Sequence, residues 1–358
     1  MIQGNWRVVG VLLIALLAGV LQCASVRSDG AEFVFRPEDG LRLRKSVSVS
    51  VKSESRITEM WPTHELLESA GVSLHTRKQA LTIDDEYILF EDGRVKKLER
   101  RYGEVTQLDA YKDERGPGWP DWLDLLALDM GLGLGLDFAR TSPLAGGKVL
   151  FSWDKKTGAL IATSDDVSKE HLKGLKVGLD FSCLLPQGPV VVGAKWDIDA
   201  EALLNEADPW SDLPLQSTDD DDSSAEQEDW GEMPTVTSAS KAYVGELVAQ
   251  YKGRRTVDDV EFAVITVRGE VVKNATSEMS GDLGDDDNYA RVQTITTFQI
   301  EGEALWDPMG NHLHSMELEA ETTKVLTDER STDGATYKLS LRTESGGTWE
   351  LVGTFERT

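Results

Sequence analysis

Alternation of apolar and polar residues at period two runs through most of this chain. In "LRLRKSVSVSV" it puts Leu41, Leu43, Val47, Val49 and Val51 on one face and Arg42, Arg44, Ser46, Ser48 and Ser50 on the other. Successive strand side chains point to opposite faces, so this pattern predicts an antiparallel sheet with one buried and one solvated side. The stretch "QALTIDDEYILFEDGRVKKLERRYGEV" predicts two strands joined at Asp92-Gly93, and "GKVLFSWDKKTGALIATS" a hairpin turning at Gly158. Beyond residue 236, "AYVGELVAQY", "VEFAVITVRGEV", "ARVQTITTFQIEGEALWD", "LHSMELEAETTKVL", "ATYKLSLRTES" and "TWELVGTFER" follow one another with Gly, Asp and Asn between them. That order predicts a meander. Val292, Thr294, Thr296, Phe298, Ile300, Ala304 and Trp306 share one face of its longest member. At ~3.4 Å per residue such a strand exceeds what a sandwich needs, and long curled strands favour a half-barrel or open cup.

Helical signals are few and short. "PTHELLESA", "GWPDWLDLLALDM" after Pro120, a capped "SDDVSKEHLKGLKVG" and "DAEALLNEA" are the candidates, and "GPVVVGAKWDI" predicts one more strand. The expected fold class is therefore α+β and mostly β: two tandem long-stranded antiparallel sheets with a few short helices.

The amino terminus has a different pattern. Arg7 precedes an unbroken apolar run from Val8 to Leu21, followed by "QCAS". At 1.5 Å per residue a helix of this run is about 21 Å long, short of the ~30 Å hydrocarbon core, so it reads as a secretory signal and not as a permanent span. Cys23 and Ser25 place small residues for cleavage after residue 25. "VLQC" also resembles a lipobox in which Cys23 would be acylated, although Gln22 stands where a small residue is expected. The chain then divides into a signal peptide at 1–25, a β-rich domain with short helices at 26–212, an acidic linker at 213–235 and a β-meander domain at 236–358. The mature chain is expected to have no transmembrane domain and to work in the periplasm or outside the cell, anchored through Cys23 if that residue is lipidated.

Charge narrows the partners. With 63 Asp and Glu against 37 Lys and Arg among 358 residues, the net charge is -26. Phosphate backbones and anionic lipid head groups would be repelled over the accessible surface, which excludes nucleic acid, while cations and basic proteins would be attracted. The chain has two cysteines, and with Cys23 removed or acylated Cys183 has no partner for a disulfide. Cys183 sits in an apolar run with no basic neighbour, as expected of an inert buried thiol.

Each compact motif fails on a named residue. A calcium loop starting at Asp221 has Ala225 where an oxygen ligand belongs and Glu226 where the turn glycine belongs. That run lacks core-forming residues and reads as a disordered linker. Asp285, Asp286 and Asp287 form a second acidic knot at a hairpin tip, and calcium is the cation such carboxylates would take. "HELLE" offers His64 and Glu65 but has Glu68 where a zinc helix needs its second histidine. His312 and His314 share a strand face without an evident third ligand. "GLGLGLD" has Leu136 at the last glycine of a dinucleotide loop, and "SPLAGGKV" has Ser142 at the first glycine of a phosphate loop. The carboxylate pairs Asp84-Asp85 and Asp258-Asp259 carry little information in so acidic a chain. No catalytic residue is assigned and no cofactor beyond calcium is expected.

The export signal, "LRLRKSVSVSV", "SPLAGGKVLFSWD" and "TITTFQIEGEALWDPMGNHLHSMELEAET" together resemble secreted bacterial proteins of long-stranded antiparallel sheets, the lipoprotein-carrier half-barrels among them. The resemblance is one of pattern over most of residues 31–358. No functional residue carries over from it. The leading expectation, from the strand faces, is a non-catalytic exported protein that presents an apolar concavity, lined by Phe298, Ile300, Trp306, Met316 and Leu318, to a lipid or other hydrophobic small molecule. The same alternation would arise if helices such as "DWLDLLALDM" plug the cup. The alternative function is a cell-envelope structural or interaction module that binds an envelope protein and calcium. A hydrolase assembled from scattered residues ranks below both.

Overall fold

The period-two stretches become strands of unusual length. In the computed structural model, which describes residues 31–61, 72–114, 137–218, 235–282, 287–332 and 338–358, β1 spans Leu41–Trp61, β2 Val72–Glu91 and β3 Arg94–Glu114. The carboxyl-terminal half supplies β9 (Thr235–Val257), β10 (Val260–Asp282), β11 (Asp287–Asp307), β12 (His312–Thr332) and β13 (Lys338–Arg357). These eight strands run 20 to 23 residues each. Strands of typical globular proteins have about 5–6. Between the two sets lie short strands β4 (Asp137–Thr141), β5 (Lys148–Asp154), β6 (Ala159–Thr163), β7 (Lys195–Ile198) and β8 (Gln216–Ser217), with one helix, α1 (Ala200–Glu206).

All thirteen strands belong to one antiparallel sheet, in the order β6-β5-β3-β2-β1-β13-β12-β11-β10-β9-β7, with β4 beside the far end of β3 and β8 beside β4. The sheet curls without closing and forms the expected open cup. The two sequence halves meet edge to edge because β1 pairs with β13 from Leu43 opposite Arg357 to Trp61 opposite Ser340. Its outermost strands are short, and β7 pairs with β9 only from Leu247 to Gln250, so most of the outer edge of β9 has no strand partner among the described residues.

Local chemistry sets the turns. Asp92 and Gly93 (φ 53° and 72°) join β2 to β3, and Asp258 and Asp259 (φ 49° and 65°) join β9 to β10. Two residues at positive φ match the twist of the strands they connect. Two of the three Trp-Asp segments, "FSWDKKTGAL" and "ALWDPMGNHL", close hairpins with the aspartate side chain. Asp154 accepts from the Lys156 N–H at 3.0 Å, and Asp307 from the N–H groups of Met309 and Gly310 at 2.8 and 2.9 Å. The likeness of the two segments is one of turn chemistry.

Apart from β5, β6 and β7, the segment from residue 142 to 213 folds back onto the inner face near the hairpin ends of the long strands. Its Leu144, Leu179, Phe181, Leu184, Leu203 and Trp210 are buried in one core with Leu43, Val47, Ile83, Leu98, Leu247, Val267, Leu318 and Phe355 from the sheet. Phe181 meets Phe355 edge to face at 6.0 Å. The chain therefore plugs its own cup. The helix expected over "DAEALLNEA" is present as α1, capped by the Asp199 carboxylate accepting from the Ala202 N–H at 3.1 Å.

Two local expectations are corrected. "SDDVSKEHLKGLKVG" makes successive turns, with the His171 N–H on Ser168 O and the Lys173 N–H on Glu170 O, and no helix. The carbonyls of Lys176 and Gly178 accept instead from the Arg100 guanidinium, and Gly174 lies at φ 80°. "GPVVVGAKWDI" is a strand only at its end, in β7; before it Val190 makes an isolated bridge to Ala31 and Gly193 turns at φ 90°. The candidate helices "PTHELLESA" and "GWPDWLDLLALDM", the signal segment with Cys23, and residues 219–234 of the acidic run lie outside the described residues. Of that run's expected span, Leu213 and Leu215 pack against the core. Among the described residues no helix is long and apolar enough to cross a membrane.

Candidate functional site: a trough between the plug and the sheet

The plug covers only part of the inner face. Where α1 ends, a trough of about 280 Å³ remains between Leu204, Asn205, Ala207 and Asp208 on one side and the sheet on the other. Its apolar floor comes from Val49 and Val51 of β1, Tyr243 of β9, Phe298 of β11 and Trp349 of β13. Phe298, Trp349 and Tyr243 are only partly buried against the core.

Further along the strands the inner face changes character. Lys273, Thr296, Lys324, Ser345 and Ser55 occupy one row across β10, β11, β12, β13 and β1, because each is the register partner of the next. Residues paired across an antiparallel ladder point to the same side, and neighbouring strands lie ~4.8 Å apart, so ammonium and hydroxyl groups alternate along this row. Ser55 and Ser345 hydroxyls lie 2.8 Å apart. Lys241 and Arg77 also line the trough. Arg77 donates to Asp109 at 2.6 Å, and the same carboxylate holds His75 Nε2 at 2.9 Å and Gln107 Nε2 at 2.5 Å. Burial alone would raise the Asp109 carboxyl; the hydrogen bonds from His75, Arg77 and Gln107 outweigh it and hold the group well below the ordinary carboxylate range. Lys273 is lowered by burial and then by Lys241, against Asp208; Lys324 is lowered by burial and then by Arg77 and Lys273.

A buried charged cluster fastens the plug. Lys45, which interrupts the apolar face of β1, contacts Asp85 at 2.9 Å, Tyr87 OH at 2.9 Å and Asp180 at 2.5 Å. Arg100 binds both oxygens of Asp85, at 2.7 and 2.9 Å. Burial would raise Asp85, yet Arg100 and Lys45 carry it below its usual value. Asp180 and the neighbouring Glu206 belong to the plug. Glu206 accepts from the Phe181 N–H and is pushed up to about 7 by burial and then by Asp180. The Asp84-Asp85 pair is thus split between roles: Asp85 faces in, and Asp84 faces out to Arg44 at 2.8 Å. None of these groups is arranged around an activated nucleophile. Cys183 is pushed up by burial and then by Glu206 and Asp199, as an inert thiol should be.

Of the residues proposed from sequence as an apolar lining, Phe298 faces the trough, whereas Ile300, Trp306, Met316 and Leu318 are buried under the plug. Asp285 and Asp286, the Asp287 side chain, His64 and Glu65 lie outside the described residues. His312 and His314 have separate partners: His312 Nδ1 lies 2.8 Å from Leu313 O, and the His314 ring stacks on Phe262 at 4.1 Å. The cationic row escaped the sequence reading, although a signal was there. Lys45, Asp85, Lys273 and Lys324 each fall in phase with the apolar residues of their strands.

The outer face is predominantly charged. Glu301, Glu319 and Glu350 are register partners across β11, β12 and β13, and Glu317, Glu319 and Glu350 bring carboxylate oxygens within 4.8 Å of one another. Water solvates such a surface, whereas a membrane barrel turns an apolar band outward.

No protein-family model matches the chain, and no curated protein matches it. Among solved structures it is similar to Salmonella typhi OmpF in its complex with daunomycin, at 9% identity and a TM-score of 0.26 over 87% of this chain and 98% of that one. It is also similar to Pseudomonas aeruginosa OccK7 (OpdD), at 9% identity and a TM-score of 0.19 over 89% and 99%, and to P. aeruginosa OpdQ, at 9% and 0.16 over 88% and 97%. Likeness at this level extends to a large antiparallel sheet and no further.

Proposed function

We propose that this chain is an exported, non-catalytic binding protein that takes the hydrophobic part of a small molecule into the trough beside α1. The observation that carries this reading is the floor of Tyr243, Phe298 and Trp349, half-exposed where the plug stops short of covering the sheet. Small-molecule sites are concave and mostly apolar, from about 300 Å³ upward, and this trough lies just below that, matching one alkyl chain or ring system. Export is supported by the apolar run from Val8 to Leu21. The test is the native mass of the exported protein recovered in a gentle detergent, with Phe298→Asp as comparison. A solvent-extractable increment present in the wild type and lost in the variant supports binding at the trough. A bare chain, together with no change in Trp349 fluorescence on adding decanol, would overturn the reading.

The second reading, an acidic envelope module that binds calcium or a basic partner protein, is favoured by the carboxylates of Glu317, Glu319 and Glu350 on the outer face. Calcium-dependent association with envelope proteins, unaffected by trough substitutions, would place it ahead.

A further inference from the structure

Acidic residues outnumber basic ones by 63 to 37 in this chain, so most cations have carboxylates at hand. Arg44, Arg56, Lys148, Arg254 and Arg255 all do. Lys241, Lys273 and Lys324 line one concavity and make no ion pair among the described residues. What faces them there is the Tyr243 ring, 5.8 Å from Lys273 Nζ, Arg77, which is committed to Asp109, and Asp208 at the end of α1. Burial and mutual repulsion hold the Lys273 and Lys324 ammonium groups below their ordinary values, with Asp208 only partly offsetting this at Lys273. Positive charge is thus concentrated in one concavity, with Lys273 half-buried and Lys241 and Lys324 exposed at its wall, and an anion seated between them would relieve their mutual repulsion.

Register gives the anion its seat. Thr296 lies between Lys273 and Lys324 in a single cross-strand row. The two lysines stand two strands apart, roughly 10 Å at the backbone, so flexible side chains from both can converge on one group above the threonine hydroxyl. The apolar floor at Phe298 and Trp349 lies toward the plug, along the same strands. Resting on the trough as the binding site proposed above, we infer that its ligand is an anionic amphiphile, whose phosphate or carboxylate head sits on Lys273, Thr296 and Lys324 while its hydrophobic part lies over Phe298 and Trp349.

Calorimetry on the full mature chain, with probes below their micelle concentration, tests this. The probes are decyl phosphate, decanol, decyltrimethylammonium and inorganic phosphate. Decyl phosphate should bind about tenfold or more tighter than decanol at low salt, with the gap narrowing as salt is added, and decyltrimethylammonium should bind weakest. The Lys273→Ala/Lys324→Ala double variant should erase the gap while still binding decanol, which an unfolded protein could not do; Lys273→Arg should keep the gap. Equal affinity for decyl phosphate and decanol, or a preference that survives the double variant, would overturn this inference and leave the hydrophobic-ligand reading standing. Inorganic phosphate binding as tightly as decyl phosphate would keep the anion seat and overturn the apolar part. No binding of any probe overturns both.

Discussion

Lys45 and Asp180, 135 positions apart in sequence, meet at 2.5 Å inside the cup, one on the sheet and the other on the segment that fills it. Tyr87 OH donates to the same Asp180 oxygen at 2.5 Å. Asp180 is held between Leu179 and Phe181, both non-glycine residues at positive φ (76° and 48°). Such backbone is costly for residues with side chains, and it persists here because both flanking side chains are buried in the core. The plug is thus tied down by one oriented carboxylate as well as by apolar packing.

That tie has a measurable energy. Lys45→Met removes a buried ammonium and leaves Asp180 facing Tyr87 without its cation. Breaking a buried pair from one side typically costs about 3–5 kcal/mol. Urea unfolding should show a loss of that size, with a smaller loss for the double variant Lys45→Met/Asp180→Leu, which leaves no charge stranded. A loss in the double variant as large as in the single one would show that the pair is not the fastening.

Glu206 gives the plug a pH dependence. Its carboxyl titrates at about 7 in the folded chain against 4.5 for an unperturbed one. The folded state therefore binds the proton more tightly, and stability falls as pH rises from about 4.5 to 7. A shift of this size corresponds to about 3 kcal/mol at most. Asp85 has the opposite sign: its lowered value stabilises the fold above the ordinary aspartate range, and that contribution disappears in strong acid. Thermal unfolding followed between pH 4.5 and 8 should show the decline, and Glu206→Gln should flatten it. An unchanged slope in that variant would move the effect to another group.

Much of this architecture is legible in residue order, and the reason is the period. Alternation identifies strands without reference to their partners, and Asp92-Gly93 marks a hairpin by its backbone requirement alone. The meander order of β9 to β13 is legible too, whereas the pairing of the two sequence halves and the contacts of the plug are not. Lys45 in phase with Leu43 and Val47, and Lys273 in phase with Val271, announce inward charges, but the partners of Lys45 lie on β2 and on the plug, and the neighbours of Lys273 follow from the exact register of β10, β11 and β12. The missing helix at 164–178 has the same origin: carbonyls at 176 and 178 go to Arg100 on β3, a contact that no local propensity contains.

Neighbouring backbone comes close to several inward glycines of the long strands. A Cβ on Gly302 would lie 2.2 Å from Glu317 O and 2.7 Å from Leu318 Cδ2. Gly302→Ala should lower stability by about 1–3 kcal/mol, as overpacked sites do. Gly346→Ala, where an added Cβ meets nothing within 4 Å, should be near neutral. Denaturant midpoints of the two variants compare them directly, and equal midpoints would show that β12 yields at Gly302 without cost.

On the outer face the same register that builds the cup sets like charges against each other. Glu301, Glu319 and Glu350 stand directly opposite one another across three strands, and Glu303 stands opposite Glu317. Like charges in cross-strand positions destabilise a sheet, and salt screens them. Glu319→Gln should therefore raise the melting temperature, as should added sodium chloride, and the variant should respond less to salt than the parent chain. Calcium separates screening from binding. If calcium raises the melting temperature no more than sodium chloride at equal ionic strength, the carboxylates are only a solvated surface. If it raises it further, and Glu319→Gln abolishes the excess, Glu317, Glu319 and Glu350 hold the ion and the envelope-module reading gains its site.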